Sequence, residues 1–302
     1  YMDLFSFTAH FGTEEDCRIH FKAQRDKIGV VCKCGHKEHF WIKSIWSYEC
    51  KKCRKRISLK SGTIMQNSNL SFLVWYKTMF LMSATKKGFS SKEIQKQLGL
   101  KRYEPVWAMV HKLRKAMGTR DERYTLEGMI ELDEGYFTVE SSEIEQEKGV
   151  RGRGAAGKQN VAVMAESVPL ENLETGEKSK SCRYFKAKVL ETHLSLEINE
   201  TVKESIDNQS IVFTDKSTSY VDISDFVELH VTEKSDKQTT NETLKWVHIT
   251  ISNAKRNLLG NYHKIKRKYL QLYLNEFIYK LNRRYFGDKL FERLIIANIT
   301  AV

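Results

Sequence analysis

Residues 130–137 read I-E-L-D-E-G-Y-F and lie within a strand-like run over 129–139. An aspartate inside an apolar strand is costly unless something offsets its charge. Asp133 is therefore the residue from which the rest of the chain is best read. One such carboxylate is often no more than a satisfied buried polar group. A second stands in I-V-F-T-D, residues 211–215, a short apolar strand that ends in Asp215. Two aspartates at strand positions suggest converging metal ligands. On adjacent strands they can hold two divalent ions, which activate an attacking hydroxyl and stabilise the leaving oxygen in phosphodiester chemistry.

The segments around these strands set the fold class. Residues 160–168 and 183–190 are further strand candidates, with Pro169 and Gly176 marking the turn between them. Residues 191–206 read as a helix and 226–231 as another β-like run, and from Asn241 the pattern is helical, broken near Gly260 and Gly287. Strands first, then alternating helix and strand, fit an α/β domain of the ribonuclease H type over residues 121–302.

A third ligand is sought in the helix L-K-W-V-H-I-T-I-S-N-A-K-R, residues 244–256. His248 and Lys255 are seven apart, so both lie on one face, about 20° out of register. Asn253, the alternative third position, is five from His248 and faces away. If Lys255 contacts DNA beside the scissile phosphate, His248 is the natural ligand next to it. An ordinary packed histidine is the competing reading. Histidine is softer than magnesium prefers, so manganese is expected to serve as well as magnesium.

The first 120 residues have a different character. They hold 24 Lys/Arg against 9 Asp/Glu, whereas the remainder is nearly neutral. A strongly basic third points to a polyanion-binding module, against the plainer reading of a lysine-rich solvated surface. A second basic cluster comes late: Lys255, Arg256, Lys264, Lys266, Arg267, Lys268, Arg283 and Arg284. The longest apolar stretch, residues 71–84, is interrupted by Lys77 and is too short to span a bilayer. No charged-then-apolar leader opens the sequence, so the cytoplasm is the expected compartment.

Four of the six cysteines crowd into V-C-K-C-G-H and E-C-K-K-C-R-K-R, separated by a stretch with Phe40, Trp41, Trp46 and Tyr48. Two knuckles around an aromatic, strand-like stretch make a zinc ribbon over residues 1–62, with Cys32, Cys34, Cys50 and Cys53 closing a tetrahedral structural site. Cys50-x-x-Cys53 has the expected spacing. Cys32-x-Cys34 is one residue short, which leaves open a distorted geometry, His36 or His39 as a substitute, or a site without metal.

Residues 63–120 read as a helix-turn-helix domain. A helix over 70–82 precedes K-K-G-F-S-S-K-E-I-Q-K-Q-L-G-L, in which Ser90 and Glu93 have capping-box spacing and Gly99 is the stop. A new helix opens around Pro105, and its polar face carries His111, Lys112, Arg114 and Lys115, the expected contacts to a DNA groove. One decoy follows. Residues 152–158, G-R-G-A-A-G-K, resemble a phosphate-binding loop, but Gln159 stands where Ser or Thr is required. A basic loop whose Arg151, Arg153 and Lys158 touch a DNA backbone is the better account.

The order of these motifs resembles the ISXO-like group of bacterial insertion-sequence transposases. It runs from the cysteine knuckles through S-G-T-I-M, E-L-D-E-G-Y, T-D-K-S-T-S-Y and W-V-H-I-T-I-S-N-A-K-R-N-L-L-G-N-Y-H to Y-L-N-E-F-I-Y-K-L-N-R-R-Y, from about Phe11 to Phe286. The resemblance implies a DDE-superfamily enzyme with a ribonuclease H-like, retroviral integrase-type domain. Such enzymes bind the terminal inverted repeats of double-stranded DNA, cut the element's ends and join the 3′-hydroxyls to target DNA with Mg or Mn, as a homodimer or higher multimer. It implies Asp133 and Asp215 as the first two acidic positions. The third, usually Glu, Asn or His with a lysine following after six residues, falls on His248 ahead of Lys255. Arg256 would join the DNA contacts. Two other classes remain: a zinc-ribbon and helix-turn-helix regulator with an inactive α/β domain, and a nuclease or resolvase that joins nothing.

Overall fold

The structure, a computed structural model, describes residues 2–140, 157–171, 176, 178–192, 194–220, 222–234, 242–287 and 289–301. The chain divides into two units, one formed by Tyr1–Arg120 with Arg283–Val302 and the other by Asp121–Asn282.

The first unit opens with helices α1 (Leu4–His10) and α2 (Glu14–Ile28), the latter started by a Thr13–Asp16 capping box. A three-stranded antiparallel sheet follows, β1 (His39–Ile42), β2 (Ser47–Cys50) and β3 (Arg56–Ser58), in that spatial order. Helix α3 (Phe72–Ala84) is capped twice, by Ser71 and by the Glu14 carboxylate, which accepts from the Phe72 and Leu73 amides at 3.1 and 2.8 Å. The Ser90–Glu93 capping box starts α4 (Ser91–Gln97), Gly99 at φ +61° ends it, and α5 (Glu104–Glu122) follows.

Residues 283–302, which the sequence pattern continues from the carboxylate domain, belong to this first unit. Their helix (Lys289–Thr300, α9 in chain order) buries Phe291, Leu294 and Ile295. The Phe291 ring lies 5.7 Å from Phe7 and 5.9 Å from Tyr76. Burying this apolar stripe is the dominant favourable term for a helix too short to hold on its own.

The second unit is a five-stranded mixed sheet with helices on both faces. Its strands are β4 (Met129–Thr138), β5 (Lys158–Glu171), β6 (Lys178–Val189), β7 (Ile211–Asp215) and β8 (Leu229–Glu233), in the order β6-β5-β4-β7-β8. The β4–β5 and β5–β6 pairs are antiparallel, and β4–β7 and β7–β8 are parallel. Alternation along β4 sends Ile130 and Leu132 to one face, where they pack with Ile198 and Val202 of α6 (Ser195–Ser205). It sends Phe137 to the other face, under Val247, Ile251 and Leu258 of α7 (Lys245–Asn261) and Leu274 and Ile278 of α8 (Leu270–Asn282).

Two local expectations shift and a third holds. Pro169 lies inside β5 opposite Lys180, not in the turn; β4 pairs with β5 only as far as Ser167, so Pro169 stands where β5 is an edge on that side, a place where proline is tolerated in a strand. Helix α6 starts at Ser195, since the amides of Glu191 and Thr192 donate to the Glu197 carboxylate and close the entry as a loop. The break expected near Gly260 is present, since α7 stops at Asn261 and the next α-helix opens only at Leu270. No helix among the described residues is long and apolar enough to cross a membrane.

Candidate metal centre

The register between β4 and β7 brings the two aspartates together. Met129 pairs with Ile211, Ile130 with Val212 and Glu131 with Phe213, and the same register carried two residues further sets Asp133 beside Asp215. Val212 belongs to the α6 face, so by alternation Asp215 points to the α7 face, as Asp133 does. Helix α7 crosses that face and brings His248 Nδ1 to 3.7 Å from Asp133 Oδ2. Gly135 makes the close approach possible: a Cβ there would stand 3.1 Å from Ile251 Cγ2, one turn from His248.

Burial pushes the Asp133 carboxyl up to about 7, with the Asp215 and Glu134 charges adding to the effect and Lys255 opposing it. Burial likewise holds the His248 imidazole below its ordinary value, against the pull of Asp215. Asp215 Oδ1 is buried without a hydrogen-bond partner among the described residues. Two close carboxylates, one with an orphaned oxygen, stand beside an imidazole that burial disfavours in its charged form. These donors are those a divalent cation takes, but among the described residues only the four cysteines of the first unit bring three or more ligand atoms within 4.8 Å of one another.

Sequence reasoning passed over several neighbours. Glu131, fully buried on the same face as Asp133, accepts from the backbone amides of Trp246 and Val247 at the start of α7. On the opposite face the Asn160 amide donates to Glu134. Burial, and then the carboxylates of Asp133, Glu134 and Asp215, push the buried Tyr220 phenol up. The i, i+2 spacing of Glu131 and Asp133 was the only signal available for the first of these.

Of the other sequence candidates in this unit, Lys255 and Lys158 meet in a cleft of about 680 Å³, lined also by Tyr136, Tyr262, His263 and Lys264. Asn253 is turned from the carboxylates, and its Oδ1 accepts from Arg256 Nη2 at 2.6 Å. Arg256 itself is exposed. Arg151 and Arg153 lie outside the described residues.

In the first unit Cys32, Cys34, Cys50 and Cys53 bring their sulfurs within 4.8 Å of one another, with Cys32–Cys53 at 3.5 Å and Cys34–Cys50 at 3.6 Å. Tetrahedral metal–sulfur bonds of ~2.3 Å set sulfurs about 3.8 Å apart, so four thiolates here fit one ion. The short first knuckle closes because Gly35, at φ +81°, donates to Cys32 O at 2.8 Å while Cys32 N donates to His36 O at 2.9 Å. A left-handed glycine thus supplies the turn that a longer spacer would give. His36 and His39 are not part of the group.

The polar face expected on α5 is split. Lys115 is exposed, and Lys112 Nζ donates to Gln66 O at 2.8 Å. His111 and Arg114 point inward instead. The His111 ring lies 4.0 Å from Trp107, burial pushes it down to about 4, and the fully buried Arg114 reaches Phe89 O at 3.5 Å. The physical reason is that α5 is enclosed on more than one stripe: Val106, Met109, Val110, Leu113 and Met117 are all buried, and the covered arc takes in positions 111 and 114.

Residues 125–282, just over half of the chain, match the family described as ISXO2-like transposase domain. No curated protein matches the chain.

Proposed function

The chain belongs to the ISXO2-like transposase domain family, and from that premise we propose that it is a DNA transposase working through a divalent-metal site of Asp133, Asp215 and His248. The observation that carries this reading is the convergence of β4, β7 and α7: His248 stands 3.7 Å from Asp133, and Asp215 keeps a buried unpartnered oxygen. The sheet order, three antiparallel strands continued by two parallel ones, supports a ribonuclease H-like domain of the integrase type.

The reaction has two phosphodiester steps. At each element end a water oxygen forms a bond to phosphorus, the P–O3′ bond breaks and a free 3′-hydroxyl is left. That hydroxyl then attacks a target phosphate, forming a new P–O bond and releasing the target's own 3′-oxygen, which takes up a proton. Magnesium or manganese held by Asp133, Asp215 and His248 would supply charge to the attacking and leaving oxygens. Histidine in the set favours manganese more than an all-carboxylate site does. Lys255, Lys158 and Lys264 line the neighbouring cleft beside His263 and give the phosphate backbone its counter-charges. Phe137 lies under the Lys255 ammonium, 5.7 Å from ring centroid to Nζ, and steadies it.

The basic first unit binds the terminal inverted repeats of double-stranded DNA. Zinc on the four cysteines holds the small sheet, and α4, Gly99 and α5 act as a helix-turn-helix. Lys101 and Arg102, exposed just before α5, join Lys115 on its DNA face in place of the buried His111 and Arg114. The protein acts on chromosomal DNA in the cytoplasm, as a dimer or higher multimer that holds two ends together. A strand-transfer assay with element-end DNA tests the assignment. Asp133→Ala is expected to abolish joining, and undiminished joining by that variant would sink it.

A further inference from the structure

Helix α7 carries the metal-site histidine in its first turn, and that turn is held in an unusual way. A helix leaves its first backbone N–H groups without intrahelical partners, and a side chain at the N-cap commonly accepts from them. The N-cap of α7 is Leu244, which makes no side-chain cap bond. The acceptor comes from the sheet. Glu131 Oε2 takes the Trp246 amide at 2.7 Å and the Val247 amide at 3.1 Å. Trp246 is tied a second time, its indole Nε1 donating to Lys180 O at 3.2 Å. His248 is the next residue, and its own amide closes the turn onto Leu244 O at 3.1 Å.

Glu131 is fully buried, two positions before Asp133 on the same face of β4. A buried carboxylate is tolerated only with strong compensation. Here Oε2 meets two donors and the positive end of a helix, while Oε1 is buried without a hydrogen-bond partner among the described residues. The arrangement ties the strand that carries the first aspartate to the helix turn that carries the histidine. We infer that Glu131 is a positioning residue of the metal site: by clamping the first turn of α7 to β4 it fixes where the His248 imidazole stands relative to Asp133. The inference rests on the reading of Asp133, Asp215 and His248 as metal ligands. Glu131 commits Oε2 to the amides of α7 rather than to the Asp133–Asp215 pair. It acts as the outer partners of metal ligands do, whose loss typically weakens binding by about 10–100-fold.

A purely structural cap offers the contrast. Glu197 also accepts from two backbone amides, Glu191 N at 2.6 Å and Thr192 N at 2.7 Å, but at the start of α6 on the other face of the sheet. The experiment titrates the full-length protein with Mn²⁺, reading free ion by electron paramagnetic resonance, with circular dichroism confirming the fold. Wild type, Asp133→Ala, Glu131→Ala, Glu131→Gln and Glu197→Ala are compared. Glu131→Ala is expected to weaken Mn²⁺ binding by about 10-fold or more, and the isosteric Glu131→Gln by roughly 3–10-fold. Glu197→Ala is expected to lower the melting temperature and leave Mn²⁺ affinity unchanged. Should Glu131→Ala fail to fold, Glu131→Gln decides alone. Wild-type affinity in Glu131→Gln, or an equal loss in Glu197→Ala, overturns the inference. If wild type binds no Mn²⁺ in an Asp133-dependent way, the metal reading falls and takes the inference with it.

Discussion

Gly135→Ala is a small substitution with a calculable consequence. The added Cβ would stand 3.1 Å from Ile251 Cγ2, 3.3 Å from Ile251 Cγ1 and 3.1 Å from Phe137 Cε2. Carbon atoms settle at ~3.5–4.0 Å, so α7 must retreat from β4 by roughly half an ångström. Both neighbours are buried, and neither can swing away. Overpacking of this kind costs about 1–3 kcal/mol, partly offset by about 0.4–1 kcal/mol from restricting the unfolded chain. The net expectation is a loss of about 1–2 kcal/mol by urea unfolding. His248 and Lys255 ride on the same helix, so strand joining should fall on the order of tenfold as the ligand moves off geometry. Ile251→Ala removes the two clashing carbons on α7, leaving Phe137 Cε2, and alone should cost about 2–5 kcal/mol. In the double variant the penalties should fall short of additivity by at least ~0.5 kcal/mol. Additive penalties, or wild-type stability and joining in Gly135→Ala, would refute the close-approach argument.

Three further outcomes are expected. In the absence of divalent metal the folded protein holds a proton on Asp133 up to about pH 7, whereas the unfolded chain releases it near its ordinary value of 3.8. Stability should therefore fall as pH rises from about 4 through about 7, by on the order of a few kcal/mol. Urea midpoints in EDTA should show that slope in wild type and lose it in Asp133→Asn; an identical slope in both would contradict it. For the cysteine site, Cys50→Ser should purify without its equivalent of zinc and expose the β1–β3 region to proteolysis. Full zinc content in that variant, by atomic absorption, would exclude the four-thiolate site. Replacing the softer ligand, His248→Glu, should raise the ratio of Mg²⁺- to Mn²⁺-supported joining. An unchanged ratio would remove His248 from the metal shell.

The sequence by itself determined what depends on short spacings. Strand-like apolar runs over 129–139 and 211–215 marked both aspartate strands. The Ser90–Glu93 spacing marked a helix start, and paired cysteines marked a cluster of four sulfurs fit to hold a metal ion. Such signals are local because strand pleat, helix turn and knuckle geometry are set by neighbouring residues. Tertiary structure decided the rest. The periodicity of α5 says which residues share a stripe, not how many stripes are covered, so His111 and Arg114 read as a DNA face and proved to be buried. The helix ending the chain carries a good apolar stripe, and only packing assigned it to the first unit. The support around Asp133 and His248 was the least legible part. Glu131 caps a helix that begins more than a hundred residues later, and Gly135 matters only because that helix comes to lie against it. Partners that meet through the fold leave no spacing to read.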